Sequence, residues 1–254
     1  MEAIRTERLK KSYGKFQAVR GIDLTVKAGE LFALLGVNGA GKTTTIKMLT
    51  GLVPPSDGKA FVLGEDITVA SEKVKRAIGI SPQESAIAGN LTVFENLCFM
   101  AEIYGFSKDA ARKKASDIVA GFSLSDVAGK RAKTLSGGYM RRLSVAMALV
   151  TEPELLFLDE PTLGLDVLAR RELWKTIEGL KGRITVILTT HYLEEAQALS
   201  DRLAIMSNGK VVACGTATEI QKQAGIDDFT EAFIKLTSGD FCEKKGTNPR
   251  ENTL

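Results

Sequence analysis

The sequence predicts an α/β fold, a mostly parallel sheet with crossover helices that is interrupted by a block of helices, and three observations predict it. Leu31-Phe32-Ala33-Leu34-Leu35 is a short continuous apolar run cut off at Gly36, the pattern of a parallel strand buried on both faces. Strand-like runs return at 155–158 and 185–189 with a helical pattern over about 166–180 between them, and that alternation builds a parallel sheet. Between these two regions, from about 91 to 150, the pattern is helical.

The remaining elements follow in order. Strand-like segments at 4–9 and 21–26 precede the first buried strand, and a Gly-rich turn after it leads to a helix over 43–49, stopped by Gly51 and Pro54-Pro55. Ile78-Gly79-Ile80 reads as a further strand. In the helical block, Thr92 with Glu95 three residues on has the form of a capping box and opens a helix over 93–104; Ser107 opens a second to about 122, and 137–149 forms a third. Near the end, 203–206 and 211–213 flank Ser207-Asn208-Gly209-Lys210, whose Asn-Gly pair signals a hairpin. From about 238 the chain is polar and carries Gly, Pro and Asn. The expected organisation is one domain over 1–237, with a helical subdomain of about 91–150 inserted, and a disordered tail over 238–254.

With 254 residues, 44% of them hydrophobic, the chain can bury a substantial core. No stretch approaches the ~20 apolar residues needed to cross a bilayer, and Met1-Glu2-Ala3-Ile4-Arg5-Thr6-Glu7 lacks the apolar core of a signal peptide, so a cytosolic location is expected. Cys98, Cys214 and Cys242 are far apart and without metal-ligand spacing, which reads as reduced thiols. The net charge of +3, from 34 basic and 31 acidic residues, lacks the one-sided excess of a nucleic-acid binder. The basic runs Arg112-Lys113-Lys114 and Lys130-Arg131-Ala132-Lys133 read as solvated helix faces or loops.

Gly36-Val37-Asn38-Gly39-Ala40-Gly41-Lys42-Thr43 has two glycines five residues apart, then Lys and a hydroxyl residue, between a strand and a helix, as a phosphate-binding loop requires. The glycines let backbone N–H groups close around a β-phosphate. Lys42 places a cation between β- and γ-phosphates, and Thr43 offers a hydroxyl to Mg²⁺ at a helix start that already favours anions. Alone, the motif fits kinases, GTPases and many ATPases. Leu155-Leu156-Phe157-Leu158-Asp159-Glu160 is an apolar strand ending in two carboxylates, a form suited to a second phosphate-site motif at the sheet's C-terminal edge. Asp159 would hold Mg²⁺ through its water shell, and Glu160 would orient or deprotonate the attacking water. Taken by itself, such a pair is as readily a solvated strand end.

Leu135-Ser136-Gly137-Gly138-Tyr139 resembles the signature sequence of ATP-binding-cassette (ABC) ATPases, and the surrounding order matches as well. Gln83 follows a strand, Gly164-Leu165-Asp166 comes just after Glu160, and His191 ends the strand over 185–189. The resemblance covers roughly residues 2–220. It implies a P-loop NTPase of ABC type: a mixed sheet core, an N-terminal antiparallel β subdomain and an α-helical insertion carrying the signature. It further implies Mg²⁺-dependent ATP hydrolysis, with Glu160, His191 and Gln83 catalytic and Thr43, Gln83 and Asp159 toward Mg²⁺. Gly36, Asn38, Gly39, Ala40, Gly41, Lys42, Thr43 and Thr44 would bind the phosphates, and Tyr13 would stack on adenine. Leu135, Ser136, Gly137, Gly138 and Tyr139 would grip ATP held by a second ABC ATPase subunit, with Asp166 at the dimer interface. A homodimer is the expectation.

The sequence departs from the family pattern at Tyr139, where Gln is usual, at Val37, where Pro is frequent, and at Leu163, where Ser is common. None of the three replaces a group assigned to chemistry. Local sequences around Leu91, Asp166 and His191 look most like bacterial ATPases that export drugs, lipids, polysaccharides or sodium. That implies a separate transmembrane permease subunit, no nucleic-acid partner, and a position on the cytoplasmic face of the membrane. The permease would rest on residues 85–96, where Ile87, Leu91, Val93 and Phe94 could floor a groove or equally be core. An importer ATPase shares every catalytic motif and is the alternative. A chromosome-organising ABC ATPase would need a long coiled coil before the signature, a ribosome-acting factor a second cassette, and a small phosphoryl-transfer enzyme would leave the signature and His191 unexplained.

Overall fold

The computed structural model describes residues 1–84 and 86–238. In chain order its first elements are β1 (Glu2–Tyr13), β2 (Phe16–Lys27), β3 (Leu31–Leu35), α1 (Lys42–Leu49), β4 (Asp57–Val62), β5 (Glu65–Asp66), α2 (Ser71–Ala77) and β6 (Ile78–Ser81). The helical block follows as α3 (Val93–Ile103), α4 (Lys108–Gly121) and α5 (Gly137–Leu149). The chain then runs through β7 (Leu155–Asp159), α6 (Val167–Glu178), β8 (Thr185–Thr190), α7 (Leu193–Leu199), β9 (Arg202–Ser207), β10 (Lys210–Gly215), α8 (Ala217–Ala224) and α9 (Phe229–Thr237). The expected α/β class is the observed one. The expectation of a disordered tail falls, apart from Ser238, outside the described residues.

The central sheet has the order β10-β9-β3-β8-β7-β6, parallel except for β10 at one edge. A second, antiparallel sheet has the order β2-β1-β4-β5. Side chains of β3 alternate between two cores, as the twofold period of a strand requires. Phe32 and Leu34 join Ile46 and Met48 of α1 and Ile4 and Leu9 of β1, whereas Leu31, Ala33 and Leu35 join Val145 of α5, Leu173 of α6 and Ile220 of α8. Because both faces are covered, β3, β7 and β8 are buried throughout.

Helices α3, α4 and α5 lie between β6 and β7 and have their own core, in which Val93, Leu97, Ala115, Val119 and Leu143 meet. The Thr92 capping box is present, Thr92 Oγ1 accepting from Glu95 N at 3.1 Å and Glu95 Oε2 from Thr92 N at 2.8 Å. Of the two readings open for Val93, the structure gives core: it is fully buried with Leu97 and Leu143. At the β9–β10 turn, Asn208 and Gly209 take φ of 49° and 76°, the two left-handed residues that a tight hairpin of this hand demands.

The topology decides where chemistry can occur. β3, β8, β7 and β6 are neighbouring parallel strands whose registers align Leu35 with Thr190, Asp159 with Thr189, and Ser81 with Leu158. The segments leaving them, which carry residues 36–43, His191, Glu160 and Gln83, therefore emerge along one edge. In open α/β sheets ligands bind outside the C-terminal ends of the strands.

Candidate active site

The loop after β3 is shaped by close backbone approaches. A side chain at Gly36 would bring its Cβ to 2.5 Å from the Met206 carbonyl oxygen, and one at Gly41 to 2.6 Å from that of Ala18, where φ is also +106°. Gly41 caps α1 without a side-chain bond, so the first N–H groups of the helix stay available to an anion. Lys42, only 5% exposed, bends back over the loop, its Nζ donating to the carbonyls of Gly36 at 2.7 Å and Val37 at 3.3 Å.

The two carboxylates after β7 occupy different surroundings. Asp159 Oδ1 accepts from Thr189 Oγ1 at 2.5 Å and from Thr43 Oγ1 at 3.2 Å. Glu160 turns the other way, with Oε1 3.3 Å from Lys42 Nζ and Oε2 2.6 Å from Nδ1 of His191. A carboxylate only accepts, so in that contact the ring nitrogen donates. Glu160 also adopts a φ of 50°, uncommon for a residue with a Cβ. Its N–H is held by Thr189, at 2.9 Å to Oγ1 and 3.2 Å to the carbonyl oxygen. The Thr189 hydroxyl thus ties the two acids together. The sequence reading missed it, because β8 carries three threonines and nothing marks which of them turns to the acids.

A cavity of about 350 Å³ opens where these groups meet, and Asn38, Gly39, Ala40, Gly41, Lys42, Thr43 and Thr44 line one side of it. Gln83, Glu160 and His191 line the other. Gly36 and Asp159 sit behind this surface, Asp159 reaching the edge through Thr43. Phe16 and Ala18 of β2 line it as well. Tyr13 is not itself in the lining, but it pairs with Phe16 across the β1–β2 hairpin and is half exposed, with Lys11 Nζ 5.2 Å from its ring.

None of residues 135–139 lines this cavity. Ser136 caps α5 with no side-chain bond and is exposed together with Gly137, while a Cβ on Gly138 would come within 2.9 Å of the Ala169 Cβ of α6. Leu135 and Tyr139 are turned inward onto the core of the helical block. Tyr139 donates its hydroxyl to Asp126 at 2.6 Å and stacks its ring against Arg142 at 4.3 Å. Asp166 is exposed and caps α6, accepting from Ala169 N at 2.9 Å.

Behind His191 lies a buried acid that the sequence reading did not single out. Glu195 of α7 is fully buried, its Oε1 accepting from Trp174 Nε1 at 3.0 Å, while Oε2 has no hydrogen-bond partner among the described residues. Burial pushes its carboxyl above the ordinary 4.5, an effect opposed by the hydroxyls of Thr190 and Thr162 and by Trp174, and reinforced by the charge of Glu160. A carboxyl raised in the folded state favours the fold fully below about pH 4.5, and that contribution is lost as pH rises through the elevated value. Glu195→Gln, which cannot ionise, is therefore expected to gain stability relative to the parent as pH rises from about 4.5. Urea midpoints measured across that range check this, and a pH-independent difference would refute it.

The family model described as "ABC transporter" matches residues 19–163, and one described as "AAA domain, putative AbiEii toxin, Type IV TA system" matches 135–195. The daunorubicin/doxorubicin resistance ATP-binding protein DrrA of Streptomyces peucetius is 44% identical over 224 residues, covering 88% of this chain and 68% of that protein. The linearmycin resistance ATP-binding protein LnrL of Bacillus subtilis (strain 168) is 42% identical over 235 residues, 92% of this chain and 74% of the relative. Among solved structures, an ATP-binding subunit of an ABC transporter superposes with a TM-score of 0.83 at 30% identity, covering 93% of this chain and all of that one. The ADP conformation of an ATP-binding cassette of another ABC transporter gives 0.81 at 28% identity, covering 92% of this chain and 99% of that one.

Proposed function

We propose, since the chain belongs to the ABC transporter family, that it is the ATP-hydrolysing subunit of an exporter whose membrane-spanning part is a separate polypeptide. The observation that carries the reading is the placement of the Glu160 carboxylate between Lys42 and His191 at the edge of the cavity that the phosphate loop lines. The loop N–H groups and Lys42 hold the β- and γ-phosphates. Glu160 accepts the proton of the attacking water while His191 fixes the direction of that carboxylate and faces the γ-phosphate.

Thr43 Oγ1 and Asp159 Oδ1, 3.2 Å apart beside that cavity, suit Mg²⁺, and Gln83 lines the same cavity. Mg²⁺ commonly keeps several waters and takes phosphate oxygens as ligands, so two side-chain oxygens can suffice to hold it. Bound there, it would neutralise charge developing on the phosphates.

The exposed start of α5 at Ser136 and Gly137, which does not line the chain's own cavity, supports a head-to-tail dimer in which each subunit completes the other's site. The names of DrrA and LnrL, both resistance proteins, support export over import. No helix among the described residues is long and apolar enough to cross a membrane. In this reading the path for cargo belongs to the membrane-spanning partner. Its docking groove includes, besides the expected 85–96, a cleft of about 240 Å³ between the edge strand β6 and the helical block, bordered by Leu52, Ile80, Met100 and Tyr104 and by none of 86–96. Exposed Phe99 and Ile103 extend that apolar surface along α3.

Capture of a tagged Glu160→Gln chain from solubilised native membranes, in ATP and Mg²⁺, tests the reading. A polytopic membrane protein in stoichiometric amount is the expected co-purifying species. Ribosomes, DNA or no partner would overturn the exporter role and leave ATP hydrolysis standing.

A further inference from the structure

Arg141, one turn into α5, is 6% exposed and, among the described residues, meets no carboxylate directly. Its hydrogen bonds to the described residues all go to main-chain carbonyls: Nη2 to Asp159 at 2.6 Å, Nε to Pro161 at 2.8 Å, and Nη1 to Pro82 at 2.6 Å and Gln83 at 3.4 Å. Burial works against its charge, and Asp159, Glu195 and Glu160 offset that from a distance. A buried guanidinium that spends its donors on backbone fixes the path of the chain and not the position of another side chain. The first two of those carbonyls flank Glu160, whose φ of 50° persists only if its surroundings hold it. The other two belong to the turn that presents Gln83. One turn further along α5, Ser144 Oγ meets Ser81 Oγ of β6 at 2.8 Å, so the helix is fastened to the same edge twice.

We propose that Arg141 is a positioning residue for ATP hydrolysis: its planar fork locks the main chain on both sides of Glu160 and at Gln83 to the helix whose start carries Ser136, Gly137 and Gly138. The inference rests on the role proposed for Glu160. It gives the helical block a physical hold on the carboxylate, because any rotation of α5 relative to β7 stretches the bonds to Asp159 and Pro161 before it disturbs anything in the phosphate loop. Lysine keeps the charge but lacks the fork, so it restores only part of this geometry. Displacement of a reacting group by about 1 Å can cost on the order of a hundredfold in rate, so the hold matters without any contact to the substrate.

The test compares the full-length parent, Arg141→Met, Arg141→Lys, Glu160→Gln and the double variant Arg141→Met/Glu160→Gln, with kcat expressed per ATP-binding site and ATP affinity measured separately. Arg141→Met is expected to lose at least about tenfold in kcat with ATP affinity within about threefold of the parent, and Arg141→Lys to recover part of the loss. In the Glu160→Gln background the same change is expected to cost nothing further. A parental kcat in Arg141→Met, equal losses of kcat and affinity, or a full additional loss in the double variant would each overturn the inference. Should Arg141→Met fail to fold, a parental kcat in Arg141→Lys overturns it. Near-parental hydrolysis by Glu160→Gln would remove the role of Glu160 and this inference with it, whereas an inactive Glu160→Gln beside a parental Arg141→Met removes this inference alone.

Discussion

Glu160→Gln is expected to slow ATP hydrolysis about a hundred- to ten-thousandfold, the range lost with a positioned general base, while ATP still binds. The substitution keeps the size and the φ demand of the side chain and removes its capacity to take a proton at Oε1 or Oε2. None of the groups that hold phosphate is touched: the loop N–H groups, Lys42 and Thr43 remain in place. Lys42 Nζ, 3.3 Å from Oε1 in the parent, loses an anionic neighbour and turns its charge more fully toward the phosphates, so affinity should hold or rise. Phosphate release at saturating ATP, together with equilibrium ATP binding, separates the two effects. Hydrolysis near the parent rate would refute the role of Glu160, and loss of binding would show that the carboxylate holds the loop in shape.

Much of this site was legible because the groups that build it sit at the ends of strands that announce themselves. Leu31-Phe32-Ala33-Leu34-Leu35 and Leu155-Leu156-Phe157-Leu158 are apolar because both faces are covered, and β3 and β7 begin where those runs begin. Ser107 and Asp166 were readable as helix starts and cap α4 and α6. What escaped was the structure whose residues answer to partners far away in sequence. β1 and β2 run to Tyr13 and from Phe16, well beyond the segments 4–9 and 21–26, because Lys10, Lys11 and Ser12 are solvated residues of an outer sheet and hide the strand pattern. β4 opens on Asp57-Gly58-Lys59, which reads as a turn, yet it pairs with β1. Helix α8 did carry its signal, a Thr216–Glu219 capping box that the chain forms.

The same division holds within the site. Lys42, Thr43, Glu160, Gln83 and His191 were found from motif order, and the fold brings all five to one cavity. Thr189, Arg141 and Glu195 were not, because nothing in a sequence marks a hydroxyl that bridges two acids, a guanidinium spent on carbonyls or a buried carboxyl under a tryptophan. Phe16 was missed because its place beside the loop comes from the β1–β2 hairpin, not from any motif.

Lys42→Ala is expected to weaken ATP binding roughly ten- to a hundredfold or more, the loss of charged hydrogen bonds worth about 1.5–3 kcal/mol. It should also destabilise the chain itself. Lys42 and Glu160 are both nearly buried, at 5% and 7% side-chain exposure, and removing one member of a buried pair strands the other charge, at a cost of about 3–5 kcal/mol. The two consequences must be told apart, because a less stable protein can bind ATP weakly for trivial reasons. The double variant Lys42→Ala/Glu160→Gln does so. With the stranded carboxylate neutralised, urea unfolding should return most of the way to the parent, whereas ATP affinity should stay low because no cation faces the phosphates. Recovery of both would mean that Lys42 serves the fold and not the nucleotide. Unchanged ATP affinity in the single variant would contradict the assignment outright, since the loop amides alone would then account for binding.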